Sequence, residues 1–133
     1  MTDYLIRLPW PPKGLQPHAK GHWRPKAKAT KEYRATATLM ARNAGLKDAT
    51  AIPDADMHFE FYPPDKRRRD AQNMPAQMKA AIDGIADAMG CDDNQFSVYF
   101  APEFLEPVVG GSVLVLVRPN SGIKRIPFGG VVS

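Results

Sequence analysis

A single cysteine, Cys91, stands in 133 residues, so no internal disulfide can form. That scarcity fits a chain kept in a reducing cytoplasm. Long apolar runs are also missing. None approaches the roughly 18 residues that a membrane-spanning helix needs. Met1-Thr2-Asp3-Tyr4 supplies neither a basic nor an apolar leader region, so no secretory signal is visible. Repeats and domain linkers are likewise absent. His18 and His22 fall in a segment with no helical period and no cysteine nearby, which leaves them without a metal role. With 44% hydrophobic and 24% charged residues, the composition is that of one soluble globular domain.

Charge is unevenly spread. Residues 1–34 carry eight basic side chains, among them Arg24, Lys26 and Lys28, against Asp3 and Glu32. This net +6, set against +4 for the whole chain, leaves the remainder at −2. A basic front beside an acidic patch suits a metal-using nucleic-acid enzyme; a solvated surface with chance clustering would look the same.

Patterning predicts the order β-α-β-α-β-β, an α/β fold in which a small two-layer mixed sheet is packed by two helices. Tyr4–Leu8 reads as a first strand stopped by Pro9-Trp10-Pro11-Pro12. The Pro-, Gly-, Lys- and His-rich stretch from there to Lys28 reads as a long loop. Thr30 is placed to cap a helix over 31–44, ended by Gly45. Met57–Tyr62 alternates as a half-buried strand and stops at Pro63-Pro64. Pro75 suits the first turn of a second helix running to Met89, with Met78, Ile82, Ile85 and Met89 as its buried stripe and Gly90 as its C-cap. Lys79, Asp83 and Asp87 lie off that stripe. Phe96–Phe100 and the apolar Ser112–Val117 read as strands, the latter central in the sheet. Residues 1–118 form the domain, and 119–133 read as a loose tail.

The densest chemical signal is Arg67-Arg68-Arg69-Asp70-Ala71-Gln72-Asn73, then Lys79 on the following helix and Asp92-Asp93 beyond it. Lys66 to Arg69 are four consecutive cations, which repel one another unless a polyanion neutralises them. Asp70 and Asp93 could offer hard oxygen ligands to Mg²⁺, with Lys79 adding positive charge near a phosphate. A local ion pair at Asp70 and a solvated turn at Asp92-Asp93 account for the same residues without metal. Trp10 and Trp23 suit either base stacking or packing.

These residues, with Leu8-Pro9-Trp10-Pro11-Pro12, Lys79-Ala80-Ala81-Ile82-Asp83-Gly84 and Asp92-Asp93-Asn94-Gln95, give the chain a resemblance to the RusA family of Holliday-junction resolvases. The resemblance runs from about Tyr4 to Val117. It implies a homodimeric endodeoxyribonuclease of DNA recombination and repair that nicks a four-way DNA junction in pairs, using Mg²⁺ or, in its place, Mn²⁺. It assigns the metal to Asp70, Gln72 and Asp93, and catalysis to Asp70, Asp93 and Lys79. DNA contact falls to Asn73 and to the basic residues Arg24, Lys26, Lys28 and Lys66 to Arg69. Two departures stand out. Lys79 follows Asn73 by six residues where the shortest family pattern has three, and Gln72 occupies the place of a second metal-binding aspartate. A carboxamide gives oxygen without charge, so the alternative is a junction binder that cuts weakly or not at all. A small basic adaptor for RNA or protein is the third reading.

Overall fold

The computed structural model describes residues 3–15, 23–46, 55–91 and 96–119. The order is β1 (Tyr4–Pro9), a 3₁₀ turn (Lys13–Leu15), α1 (Trp23–Asn43), β2 (Ala55–Tyr62), a 3₁₀ turn (Ala71–Asn73), α2 (Met74–Gln77), α3 (Lys79–Met89), β3 (Phe96–Phe100) and β4 (Ser112–Pro119). The four strands form one sheet ordered β1-β4-β2-β3. β4 is antiparallel to both neighbours, and β2 is parallel to β3. The sheet is therefore mixed, with β4 inside it as its apolar run implies.

Strand alternation builds the core. Ile6, Leu8, Met57, Phe59, Phe61, Val113, Val115 and Val117 are buried on one face of the sheet. Against them pack Tyr33, Ala37 and Ala41 of α1 and Ala81, Ile85 and Met89 of α3. The Tyr33 hydroxyl donates to the Pro9 carbonyl at 2.7 Å, which fastens α1 to the end of β1. Burial drives its phenol well above the ordinary tyrosine range, so this donor stays protonated.

Two elements depart from the patterned expectation. α1 begins at Trp23, so residues 23–28 are helical and Thr30 is no cap. Its hydroxyl instead donates back to the Lys26 carbonyl at 2.8 Å. Pro25 lies in the first turn, where proline is tolerated because its missing N–H has no intrahelical partner. The remainder of the expected loop, including His18 and His22, lies outside the described residues.

The second helix is split. α2 ends at Gln77, and Met78 (φ −87°, ψ −4°) turns the chain into α3, its N–H shared between the Met74 and Pro75 carbonyls at 3.1 Å each. Met74, Met78, Ile85 and Met89 all reach the core across the turn. Gly90 caps α3 in the left-handed region at φ 68°, as its position implies. The tail, 120–133, lies outside the described residues. Among those residues, no helix is long and apolar enough to cross a membrane.

Candidate nucleic-acid and metal site

The basic run lies between β2 and the turn that precedes α2, and a small polar lattice fixes its shape. Asp65 accepts the Arg67 N–H at 2.9 Å and the Arg69 guanidinium at 2.9 Å. That guanidinium also donates to the Asp65 and Arg67 carbonyls, each at 3.1 Å. The bonded Arg69, and then the Arg67 amide, hold the Asp65 carboxyl below its ordinary range. Arg69 further sits over the Trp10 ring, 5.8 Å from its centroid. Trp10 in turn tilts against Phe104 with centroids 6.1 Å apart. Leu105 and Val108 donate to the Phe61 and Pro63 carbonyls at 2.9 Å, so the 101–109 segment braces the same corner.

The run thus divides by role. Arg69 is half-buried and internally bonded, while Lys66, Arg67 and Arg68 are exposed. A loop pinned from within, with three exposed cations, can meet a polyanion without first having to be ordered. A second basic surface runs along α1, where Lys26, Ala27, Thr30, Lys31 and Arg34 line an open groove of about 510 Å³. Lys26, Lys28 and Lys31 are exposed, and Arg24 lies in the first turn of the same helix.

Asp70 follows the basic run. Its carboxylate accepts the Gln72 N–H at 2.9 Å, and its carbonyl accepts the Asn73 N–H at 3.1 Å. Asp70 therefore caps the 3₁₀ turn, and the geometry brings Asp70, Gln72 and Asn73 together on that one turn. A carboxylate can accept about four hydrogen bonds or metal contacts, so the cap does not exhaust it. Asp70 and Gln72 are both exposed and both bring hard oxygen, the donor type that Mg²⁺ selects. In kind they fit that ion; in charge they supply one unit where two aspartates would supply two. Asp93 and its neighbour Asp92 lie outside the described residues. Among the described residues, no three His, Cys, Asp or Glu side chains gather where they could hold a metal.

Lys79 opens α3, and its ammonium lies 3.0 Å from Asp83. Asp83 also faces the Arg34 guanidinium at 3.9 Å, while Asp87 pairs with it at 2.7 and 2.9 Å. The Arg34 bonds hold the Asp87 carboxyl below its ordinary range. The off-stripe face of α3 is thus tied to α1 by an ion-pair ladder whose upper rung is Lys79. The sequence pattern placed Lys79, Asp83 and Asp87 on one face. It gave no sign of Arg34, which is 49 residues from Asp83 and meets it only through tertiary packing. Asp65 was also missed, although its spacing four residues ahead of Arg69 was an available signal.

These features describe a compact α/β domain with a basic surface beside an exposed carboxylate turn. No protein-family model matches the chain. It is 33% identical over 124 residues to the crossover junction endodeoxyribonuclease RusA of Shigella sonnei, covering 92% of this chain and 98% of that protein. The RusA of Escherichia coli K12 is 32% identical over the same coverage. An uncharacterised protein of Xylella fastidiosa is 43% identical over 93 residues, 68% of this chain and 61% of that protein's length. The chain belongs to the RusA family of crossover junction endodeoxyribonucleases.

Proposed function

We propose that this protein is a structure-specific endodeoxyribonuclease that resolves four-way DNA junctions in recombination and repair. The observation that carries the reading is Asp70: an exposed carboxylate fixed on a turn between the Lys66–Arg68 cations and Lys79, in a chain that matches the junction nucleases almost end to end. Lys66, Arg67 and Arg68 hold the phosphate backbone from one side, and Arg24, Lys26 and Lys28 of α1 hold it from another. Arg69 contributes by fixing the loop, and Asn73 presents a polar side chain to the strand. Asp70, Asp93 and Gln72 hold a divalent cation, Mg²⁺ or Mn²⁺. When bound, that cation lowers the pKa of a coordinated water and offsets charge on the scissile phosphate. Lys79, steadied by Asp83, adds a fixed positive charge beside the phosphate as negative charge builds on it. Two subunits, each cutting one of two opposed strands, account for paired nicks. A cytoplasmic location follows from the DNA substrate.

Asp70→Asn is the direct test because asparagine caps a turn as well as aspartate does while removing the charge. Cleavage of a synthetic junction with Mg²⁺ is expected to fall at least about a hundredfold, with junction binding and thermal stability kept. Retained cleavage would overturn the assignment. Gln72 favours a second reading, a junction binder with a disabled metal site. Calorimetric titration with Mg²⁺ and Mn²⁺ separates the two, since a disabled site takes up neither ion specifically.

A further inference from the structure

Lys79 carries its charge on a flexible stem, and 63% of its side chain is exposed. Such a cation helps a reaction only when its ammonium is held where charge develops. Asp83 supplies one hold, its Oδ1 accepting from Lys79 Nζ at 3.0 Å one helical turn away. An exposed pair at this spacing is weak, and acid before base, the order that favours it, is reversed here. Asp83 alone therefore tethers Lys79 only as firmly as Asp83 is itself held.

That hold comes from the other helix. Only 23% of the Asp83 side chain is exposed, and its second oxygen, Oδ2, faces Arg34 Nη1 of α1 at 3.9 Å. Each carboxylate oxygen thus meets its own cation, and the two together orient the carboxylate. Arg34 is anchored in turn by Asp87, its Nε donating to Oδ2 at 2.7 Å and its Nη2 to Oδ1 at 2.9 Å. This bidentate fork fixes the guanidinium plane, with the Nη1 edge toward Asp83. Packing fixes the backbones on both sides. The Arg34 carbonyl lies against Gly84, the residue after Asp83, too close for a side chain between them. The Thr38 hydroxyl donates to the Gly84 carbonyl at 2.8 Å and lies 3.0 Å from the Arg34 carbonyl, bridging the two helices. The fold, rather than their mutual attraction, therefore sets how Arg34 and Asp83 face each other.

We infer that Arg34 is a positioning residue for cleavage: acting through Asp83, it holds the Lys79 ammonium in place for the phosphate. This role rests on the charge role given to Lys79 above, and in it Arg34 itself touches neither phosphate nor metal. The Arg34–Asp87 pair already joins α1 to α3; what the Asp83 arm adds is a link to Lys79. Only the four residues of α2 and the turn at Met78 separate Lys79 from the Asp70 turn. Holding Lys79 to α1 therefore also ties down the far end of the segment that carries Asp70.

Junction cleavage by the full chain with Mg²⁺ tests it, read beside junction binding, circular dichroism and ¹⁵N relaxation of the lysine ammonium groups. Arg34→Gln is expected to lower kcat at least about tenfold, with KM and junction affinity held within about twofold. Arg34→Lys, which keeps the charge and loses the fork, should recover part of that loss. Added to Lys79→Ala, Arg34→Gln should cost less than about a further twofold, because both act through one ammonium. Without metal, Arg34→Gln should leave helix content unchanged and lower the order of the Lys79 ammonium. Losses that multiply in the double variant would overturn the role. So would weakened junction binding as the main effect of Arg34→Gln, or a Lys79 ammonium as ordered without Arg34 as with it. A chain that binds the junction and never cuts it, or a Lys79→Ala variant that cuts like the native chain, would instead overturn the reading of the site. The ammonium signal then decides alone whether Arg34 positions Lys79.

Discussion

Gln72 shows how one methylene and one lost charge alter a site whose backbone is intact. Its N–H completes the Asp70 cap, a contact any residue with an amide would make, so the turn forms regardless of the side chain. Aspartate at this position would put a second carboxylate two residues from Asp70 on the same exposed turn. Without metal, the like charges should cost a few tenths of a kcal/mol, in keeping with surface charge pairs. With metal, the added negative charge should tighten Mg²⁺ binding about tenfold or more. Gln72→Asp is thus expected to be slightly less heat-stable than the native chain in a chelating buffer and to gain more from added Mg²⁺, as differential scanning calorimetry would show. A variant equally insensitive to Mg²⁺ would mean that position 72 does not face the ion.

At the scale of elements, the crossing of α1 over α3 is a close fit. A Cβ on Gly84 would collide with the Arg34 carbonyl oxygen and lie 2.8 Å from the Ala37 Cβ. The Thr38 hydroxyl donates to the Gly84 carbonyl at 2.8 Å across the same crossing. Neither obstacle is a flexible tip, so Gly84→Ala must push the helices apart. The expected loss is about 3 kcal/mol, at the upper end of overpacking, read from the urea midpoint at unchanged m-value. This crossing also shows what the sequence could and could not disclose. Strand alternation in Met57–Tyr62 and the apolar run in β4 spelled out the sheet, because burial on a pleated surface has a period of two. Lys79-Ala80-Ala81-Ile82-Asp83-Gly84 drew notice as a chemical motif, yet Ala81 and Gly84 serve helix packing and Asp83 joins the Arg34 ladder. Lys79, 3.0 Å from Asp83, is the one residue of the motif to which the proposal gives a chemical role. The start of α1 was illegible because tolerance of proline in a first turn, not local propensity, decides it; nothing in the structure explains the turn at Met78. Asp70 stands out in the sequence as a candidate ligand or ion-pair partner, whereas the contact the structure gives it is a turn cap to the Gln72 N–H two residues on.

Across the whole molecule, acid should undo the links that join its parts. Asp87 ties α3 to α1 through Arg34, and Asp65 ties the basic loop to itself through Arg69. Both carboxyls are held below the ordinary aspartate value of 3.8 in the folded chain, Asp87 by its bonds to Arg34 and Asp65 by its bonds to Arg69 and the Arg67 amide. A depressed folded pKa means that the unfolded chain binds protons first as pH falls. The stability these pairs lend is therefore present above the ordinary value and drains away below it, as pH passes down through the folded values. Urea midpoints measured from pH 6 to pH 2.5 should stay level at first and then decline below about pH 4. Because both side chains are partly exposed, solvent and salt screen each pair, and 0.5 M NaCl should shrink the decline. Asp87→Asn with Asp65→Asn should lower the midpoint at pH 6 and flatten the curve below pH 4, since the variant has already lost what acid removes. Equal slopes in the native and doubly substituted chains would place the acid-sensitive links elsewhere, and the helix–helix ladder would then owe its hold to the Gly84 crossing rather than to charge.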